Sequence, residues 1–149
     1  DVTDPPGGAF LRDEAGRLTG MVVDSAMELL LPLAVDIGCH GPNFHTDLPA
    51  EQLLGWLQDA ADTYLAAGVT TVCDPQVSAR ELRVYRAAHA AGTLPVRTFG
   101  LPLSHQLDAF HSVGLAAPFG DDWLRLTGMK FYSDGTLLGG TARFSVPYG

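Results

Sequence analysis

The sequence predicts an α/β fold built on a parallel sheet, and three observations carry that reading. An amphipathic stretch at 49–67 is followed, after Gly68, by the β-branched run Val69-Thr-Thr-Val-Cys-Asp74. The same alternation recurs twice: a helical stretch from Ser78 to about Ala91 precedes Pro95–Gly100, and a weaker one from Ser104 to His111 precedes Leu126–Ser133. Strands joined by helical crossovers pair in parallel, because a right-handed crossover returns the chain to the same end of the sheet.

Taken in order, residues 1–20 are turn-rich. Asp4-Pro-Pro-Gly-Gly8 and Glu14-Ala-Gly16 flank a short apolar step, Ala9-Phe-Leu11, that reads as half of a small hairpin. Gly20–Asp24 suits a strand or a lead-in, and Asp24 or Ser25 suits the N-cap of a short helix that Pro32 limits. Residues 36–48 show no periodicity, so 1–48 is read as an irregular inserted segment ahead of a sheet-bearing segment, 49–149.

Pro49 fits the first helical position, and Glu51 suits the positive end of the helix dipole. Leu53, Leu54, Leu57, Ala60, Ala61, Tyr64 and Leu65 fall on one face, and Gly68 stops the helix. The following strand reads as buried, with Cys73 inside it and Asp74-Pro75 at its end. Ser78 caps the next helix and Gly92 closes it. In the last strand, Met129 and Phe131 alternate with Lys130 and Tyr132, and Asp134-Gly135 breaks into a glycine-rich loop. Strand ends at Asp74, Gly100 and Ser133 would share one edge, where α/β folds bind ligands.

Composition narrows the partners. The 149 residues carry a formal charge of −8, with no Lys/Arg cluster to offset it, so a nucleic-acid backbone would be repelled. The apolar run at Leu29–Leu33 contains Pro32 and is far too short to cross a bilayer. Cys39 and Cys73 fit no metal or redox spacing and read as reduced thiols, which points to the cytoplasm. The chain begins without methionine and stops just after a glycine-rich loop, as an internal stretch of a longer protein would.

Few motifs carry chemistry by themselves. Cys39-His-Gly-Pro-Asn-Phe-His45 is a local cluster of possible metal ligands, but no helix fixes it and no carboxylate pair flanks it. His89 reads as a surface helix residue, and His105 and His111 have no evident partner. Phe131-Tyr-Ser-Asp-Gly-Thr-Leu137 is similar to the haloacid-dehalogenase signature, but Tyr132 stands where that chemistry needs a nucleophilic aspartate.

A different resemblance spans nearly the whole chain. Met129-Lys-Phe-Tyr-Ser-Asp-Gly-Thr-Leu137, Thr141-Ala142 and Pro147-Tyr148 occur in the order of a Lys-x-Phe-x-Asp-Gly-Ser-Leu, Thr-Ala, Pro-Tyr pattern. Upstream, Pro5-Pro-Gly-Gly8, Arg12-Asp13, Gly16, Thr19-Gly20 and Ala66–Asp74 continue it. The ordered set resembles amidohydrolase family 3, the N-substituted formamide deformylase-like metal-dependent hydrolases. The resemblance implies a partial (β/α)8 (TIM) barrel, with three of its parallel strands, their connecting helices and an irregular N-terminal insertion in this chain. It implies hydrolysis of a non-peptide carbon–nitrogen bond of amide or formamide type, in a small-molecule substrate, by one or two divalent ions, zinc by preference.

In related two-metal enzymes the strand lysine that matches Lys130 is carboxylated and bridges the ions. An ordinary lysine, with a pKa of about 10.4, is almost wholly ammonium at neutral pH, and nearby cations favour the carbamate instead. The resemblance thus makes Lys130 a metal ligand, and Tyr132 and Asp134 substrate-binding residues. Gly139-Gly140 replaces the family's Ser-Arg, and no His-x-His pair is present. A whole barrel needs about 250 residues. The expectations are therefore an isolated chain that binds no stable metal and turns nothing over, and that self-associates to cover open sheet edges. A non-catalytic interaction module and a metal-free α/β ligand-binding domain are the rival readings.

Overall fold

The computed structural model describes residues 2–30, 48–137 and 140–147. Histidines 40 and 45, Cys39 and the expected irregular run at 36–48, apart from its last residue, lie outside the described residues. The chain divides into two compact units: one takes in the N-terminal residues and everything from Phe131 onward, the other the described residues 48–130.

In the first unit, β1 (Gly8–Arg12) and β2 (Leu18–Asp24) pair antiparallel, with Phe10 opposite Val22 and a bulge between Phe10 and Arg12. The segment read as irregular is thus a regular hairpin through residue 24, followed by a 3-10 turn at Ser25–Leu30. Asp13 makes the connection: its carboxylate accepts from the backbone N–H of Ala15 and Arg17 and pairs with the Arg17 guanidinium at 2.8 Å. The Pro-Pro-Gly-Gly run has a packing reason. Gly8 lies so close to Ser25 and Ala26 that a Cβ would overlap the Ala26 N–H, and Ser25 Oγ donates to the Pro6 carbonyl at 2.7 Å. Phe10 and Ala26 are buried there.

The second unit opens with α1 (Ala50–Ala66), then β3 (Thr71–Val77), α2 (Ala79–Ala90) and β4 (Arg97–Pro102). A 3-10 turn (Ser104–Gln106) leads into α3 (Leu107–Ser112), and β5 (Phe119–Gly120) and β6 (Leu124–Leu126) complete it. The sheet order is β3-β4-β6-β5; β3, β4 and β6 are parallel, and the short β5 is an antiparallel addition that the sequence gives no sign of. Ser78 caps α2 with a reciprocal Glu81, satisfying backbone donors that the first helical turn leaves open. The core lies between sheet and helices, where Ala88, Leu94 and Leu124 meet Leu54, Leu57 and Tyr85.

Several expectations need correction. The strand containing Asp74 does not end at Pro75 but runs on to Val77; as the sheet's edge strand it tolerates a residue without an N–H. Cys73 is exposed rather than buried, because α2 covers the other face of β3. Along α1, Ala61 is buried and Leu53, Leu54 and Leu57 are half-buried, but Ala60, Tyr64 and Leu65 are exposed. The last strand lies at 124–126, not 126–133. Among the described residues no helix is long and apolar enough to cross a membrane.

Candidate functional site

The carboxyl ends of the parallel strands converge in register. Asp74 stands opposite Gly100, Gly100 opposite Leu126, and Val77 opposite Pro102. Gly100 keeps the strands close to their cover: a Cβ there would come 3.3 Å from both Leu126 and Val77 side chains. Beyond Leu126 the pairing slips. Leu103 next faces Lys130, so β4 advances three residues while the partner chain advances four. The extra residue is a bulge centred on Thr127-Gly-Met129, and it puts Lys130 instead of Met129 opposite Leu103. Bulges of this kind re-aim side chains beside functional sites.

The backbone of Lys130 is held on both sides. Its N–H donates to the Pro102 carbonyl at 2.8 Å, and its carbonyl accepts from Ser104 N–H at 3.0 Å. Leu103 beneath it is fully buried, and its own N–H donates to the Val77 carbonyl. Lys130 is half-buried and pairs with Leu103, just beyond the carboxyl end of β4. Ser133, expected at the same edge, belongs to the other unit.

Tyr132 and Asp134 belong to that other unit as well. Tyr132 is half-buried. Asp134 is exposed, and its Oδ2 accepts the Arg143 N–H at 2.8 Å, which closes the glycine-rich loop on itself. Thr136 and Thr141 tie the same loop: Thr136 N–H donates to Thr141 Oγ1 at 2.9 Å, and Thr141 N–H returns to the Thr136 carbonyl at 3.1 Å. Gly135 allows this closure, since a Cβ at that position would overlap the Thr141 carbonyl. The Asp-Gly-Thr and Thr-Ala halves of the motif are thus two ends of one clasp.

Two polar pairs escape a reading of the sequence. Asp74 Oδ2 accepts from Tyr85 Oη at 2.8 Å while Oδ1 accepts from Gln76 N–H, so this carboxylate is committed to the fold. Burial, then the Asp74 charge, pushes the Tyr85 phenol well above its usual range. His89 Nε2 meets Asp121 Oδ2 at 2.8 Å. The Asp121 carboxyl is held below the usual range, first by the backbone N–H of Leu124, then by that of Trp123 and by His89. These partners lie 11 and 32 residues apart, so only the fold brings them together.

Among the described residues, no three His, Cys, Asp or Glu side chains gather closely enough to hold a metal ion. Lys130 is a single side chain at the sheet edge, and catalytic zinc sites use three protein ligands and an open position. The described residues therefore do not make up a complete metal site.

An α/β protein with a parallel sheet is the general class that the fold defines. The sequence model of the amidohydrolase family matches residues 1–149, and the chain belongs to that family. N-substituted formamide deformylase of Arthrobacter pascens is 32% identical over 110 residues, covering 74% of this chain and 18% of that protein. Protein LONG AFTER FAR-RED 3 of Arabidopsis thaliana is 30% identical, covering 97% of this chain and 25% of its own length. The putative amidohydrolase YtcJ of Bacillus subtilis is 27% identical, with 99% and 26% covered. Crystal structures of uncharacterized metal-dependent hydrolases from Pyrococcus horikoshii and Pyrococcus furiosus superpose with TM-scores of 0.62 and 0.63 at 30% and 26% identity. They cover 68% and 70% of this chain, and 21% and 22% of theirs. The chain spans about a quarter or less of the curated relatives it matches.

Proposed function

We propose that this chain is part of a metal-dependent hydrolase acting on a non-peptide carbon–nitrogen bond of amide or formamide type. The observation that carries the reading is the placement of Lys130: within a chain of the amidohydrolase family, a bulge and two backbone hydrogen bonds fix it at the carboxyl end of a parallel sheet. In this reading the parallel strands belong to a (β/α)8 barrel, whose functional groups sit at that end. Lys130 is one ligand of a divalent ion, zinc by preference, and the described residues alone hold neither a stable ion nor activity. The chemistry such an ion supplies when bound is polarisation of the scissile carbonyl and acidification of a water. Tyr132 and Asp134 are substrate-binding residues in this reading, and the clasp between Asp134 and Arg143 keeps their own loop in shape.

Metal analysis and assay of a formamide and amide panel, on the full-length protein containing this chain, test the reading. Lys130→Ala is expected to lose most of the bound metal, and Asp134→Asn to keep the metal while raising KM. Full metal occupancy with undiminished turnover in Lys130→Ala would remove Lys130 from the site. For the isolated chain, the same reading expects self-association that covers the sheet edges left open among the described residues. A monomer by light scattering at high protein concentration would argue against it.

A further inference from the structure

We infer that a second site, on the helix side of the sheet, binds a small carboxylate with an apolar body. A cavity of about 640 Å³ opens between α2, α3 and the β5–β6 turn, within the sheet-bearing unit and on the face opposite Cys73. That volume is in the range of pockets that enclose a small organic ligand. Its walls are apolar, from Leu82 on α2 to Phe110 on α3 and Leu126 on the sheet. Val113 and Phe119 at its rim are 68% and 54% exposed, so a considerable apolar surface faces water there.

The polar groups of the cavity select the ligand's charge. Three of them line it: Arg86, His89 and Asp121. Asp121 is fully engaged, with Oδ2 on His89 at 2.8 Å and Oδ1 accepting from Trp123 N–H at 2.8 Å and Leu124 N–H at 3.0 Å. The same contact occupies His89 Nε2. Arg86 makes no hydrogen bond or ion pair among the described residues. An apolar cavity with an exposed guanidinium at its wall that has no partner among the described residues is complementary to a carboxylate carrying a hydrocarbon body, since Arg binds carboxylates through two parallel N–H donors. The floor is rigid: Gly120, at φ 120°, sits so tightly against the Leu124 carbonyl that a Cβ would overlap it, and the His89–Asp121 contact ties that turn to α2.

Isothermal titration of the full chain with octanoate, 4-phenylbutyrate and 1-octanol tests the site. At least one acid is expected to bind about tenfold or more tightly than octanol, the range a charge-assisted hydrogen bond supports. The better of the two acids reports whether the body is aliphatic or aromatic. Arg86→Met keeps the aliphatic stem and should erase the preference for acid over alcohol. Ala109→Trp should fill the cavity and abolish binding, with an unchanged circular dichroism spectrum. No heat from either acid up to about 5 mM, an affinity weaker than about −3 kcal/mol, would overturn the proposal. Equal binding of octanol and octanoate, or an unaltered preference in Arg86→Met, would do the same. If Ala109→Trp changes the oligomeric state and leaves acid binding intact, the cavity is a contact between copies and the proposal falls.

Discussion

The two faces of the parallel sheet differ in how this chain treats them. On the side of α2, Thr98, Gly100, Pro102, Leu124 and Leu126 are buried. On the other side, Cys73 and Arg97 are exposed, and Phe99 and Arg125 are half-buried. Arg97 finds its cover in an aromatic ring, lying 5.3 Å from the centre of Trp123. Parallel sheets normally have both faces covered, and their strands are correspondingly apolar throughout. The β-branched character of 69–74 therefore fits a strand covered twice, while the described residues cover it once. A strand's composition indicates the burial it suits, and its neighbours determine the burial it has.

The sharpest test of this contrast is a pair of truncations. Leu124→Ala, in the core with Ala88 and Leu94, should cost about 2–5 kcal/mol by urea denaturation, whereas Cys73→Ala on the open face should stay within about 0.5 kcal/mol. Similar losses at both positions would mean that the open face is covered. Tyr85→Phe is next, at about 1–2 kcal/mol, because it leaves the part-buried Asp74 carboxylate without its phenol partner.

The same tyrosine sets an alkaline limit. Its folded pKa is raised, so its contribution is complete below the unfolded phenol value of about 10 and declines as pH rises toward the folded one. Stability should fall above about pH 10, and less steeply in Tyr85→Phe. On the acid side the sign reverses. Asp121 has a lowered pKa, so its small contribution is present above the usual carboxylate range and is lost as pH falls through the folded value. Asp121→Asn should flatten that part of a stability–pH profile. In a Cys39→Ser background, Cys73 should react with a thiol reagent without denaturant. Slow labelling there, with the same chain inside a longer protein, would show that additional residues close the open face.

Much of this architecture is legible in the sequence, for local reasons. The extent of α1, the Ser78 cap with its Glu81 partner and the closing glycines are encoded within one or two helical turns, and the helices lie close to where they are expected. The register of the last strand is not local. Whether the ladder stops at Leu126 and resumes at Lys130 depends on where β4 ends, so alternation of Met129 and Phe131 misplaces the strand while still locating the lysine at the sheet's end. The exposure of Cys73 is invisible for the same reason, since periodicity gives faces but not what lies against them. At the site, Lys130 stands out as a lysine between apolar neighbours ahead of a glycine-rich loop. The role of Asp134 in closing that loop needs Arg143, nine residues on, to be seen beside it.

The outer edge of β3 has a practical consequence. Seven residues of backbone there end the sheet among the described residues, and Pro75 withholds a donor partway along. A strand added to that edge would meet a built-in ruler. A short peptide docking on it can align well only where its own acceptor is not aimed at Pro75. Scanning a set of overlapping peptides by competition, and comparing Pro75→Ala, would read out the register of whatever strand this edge is made to receive.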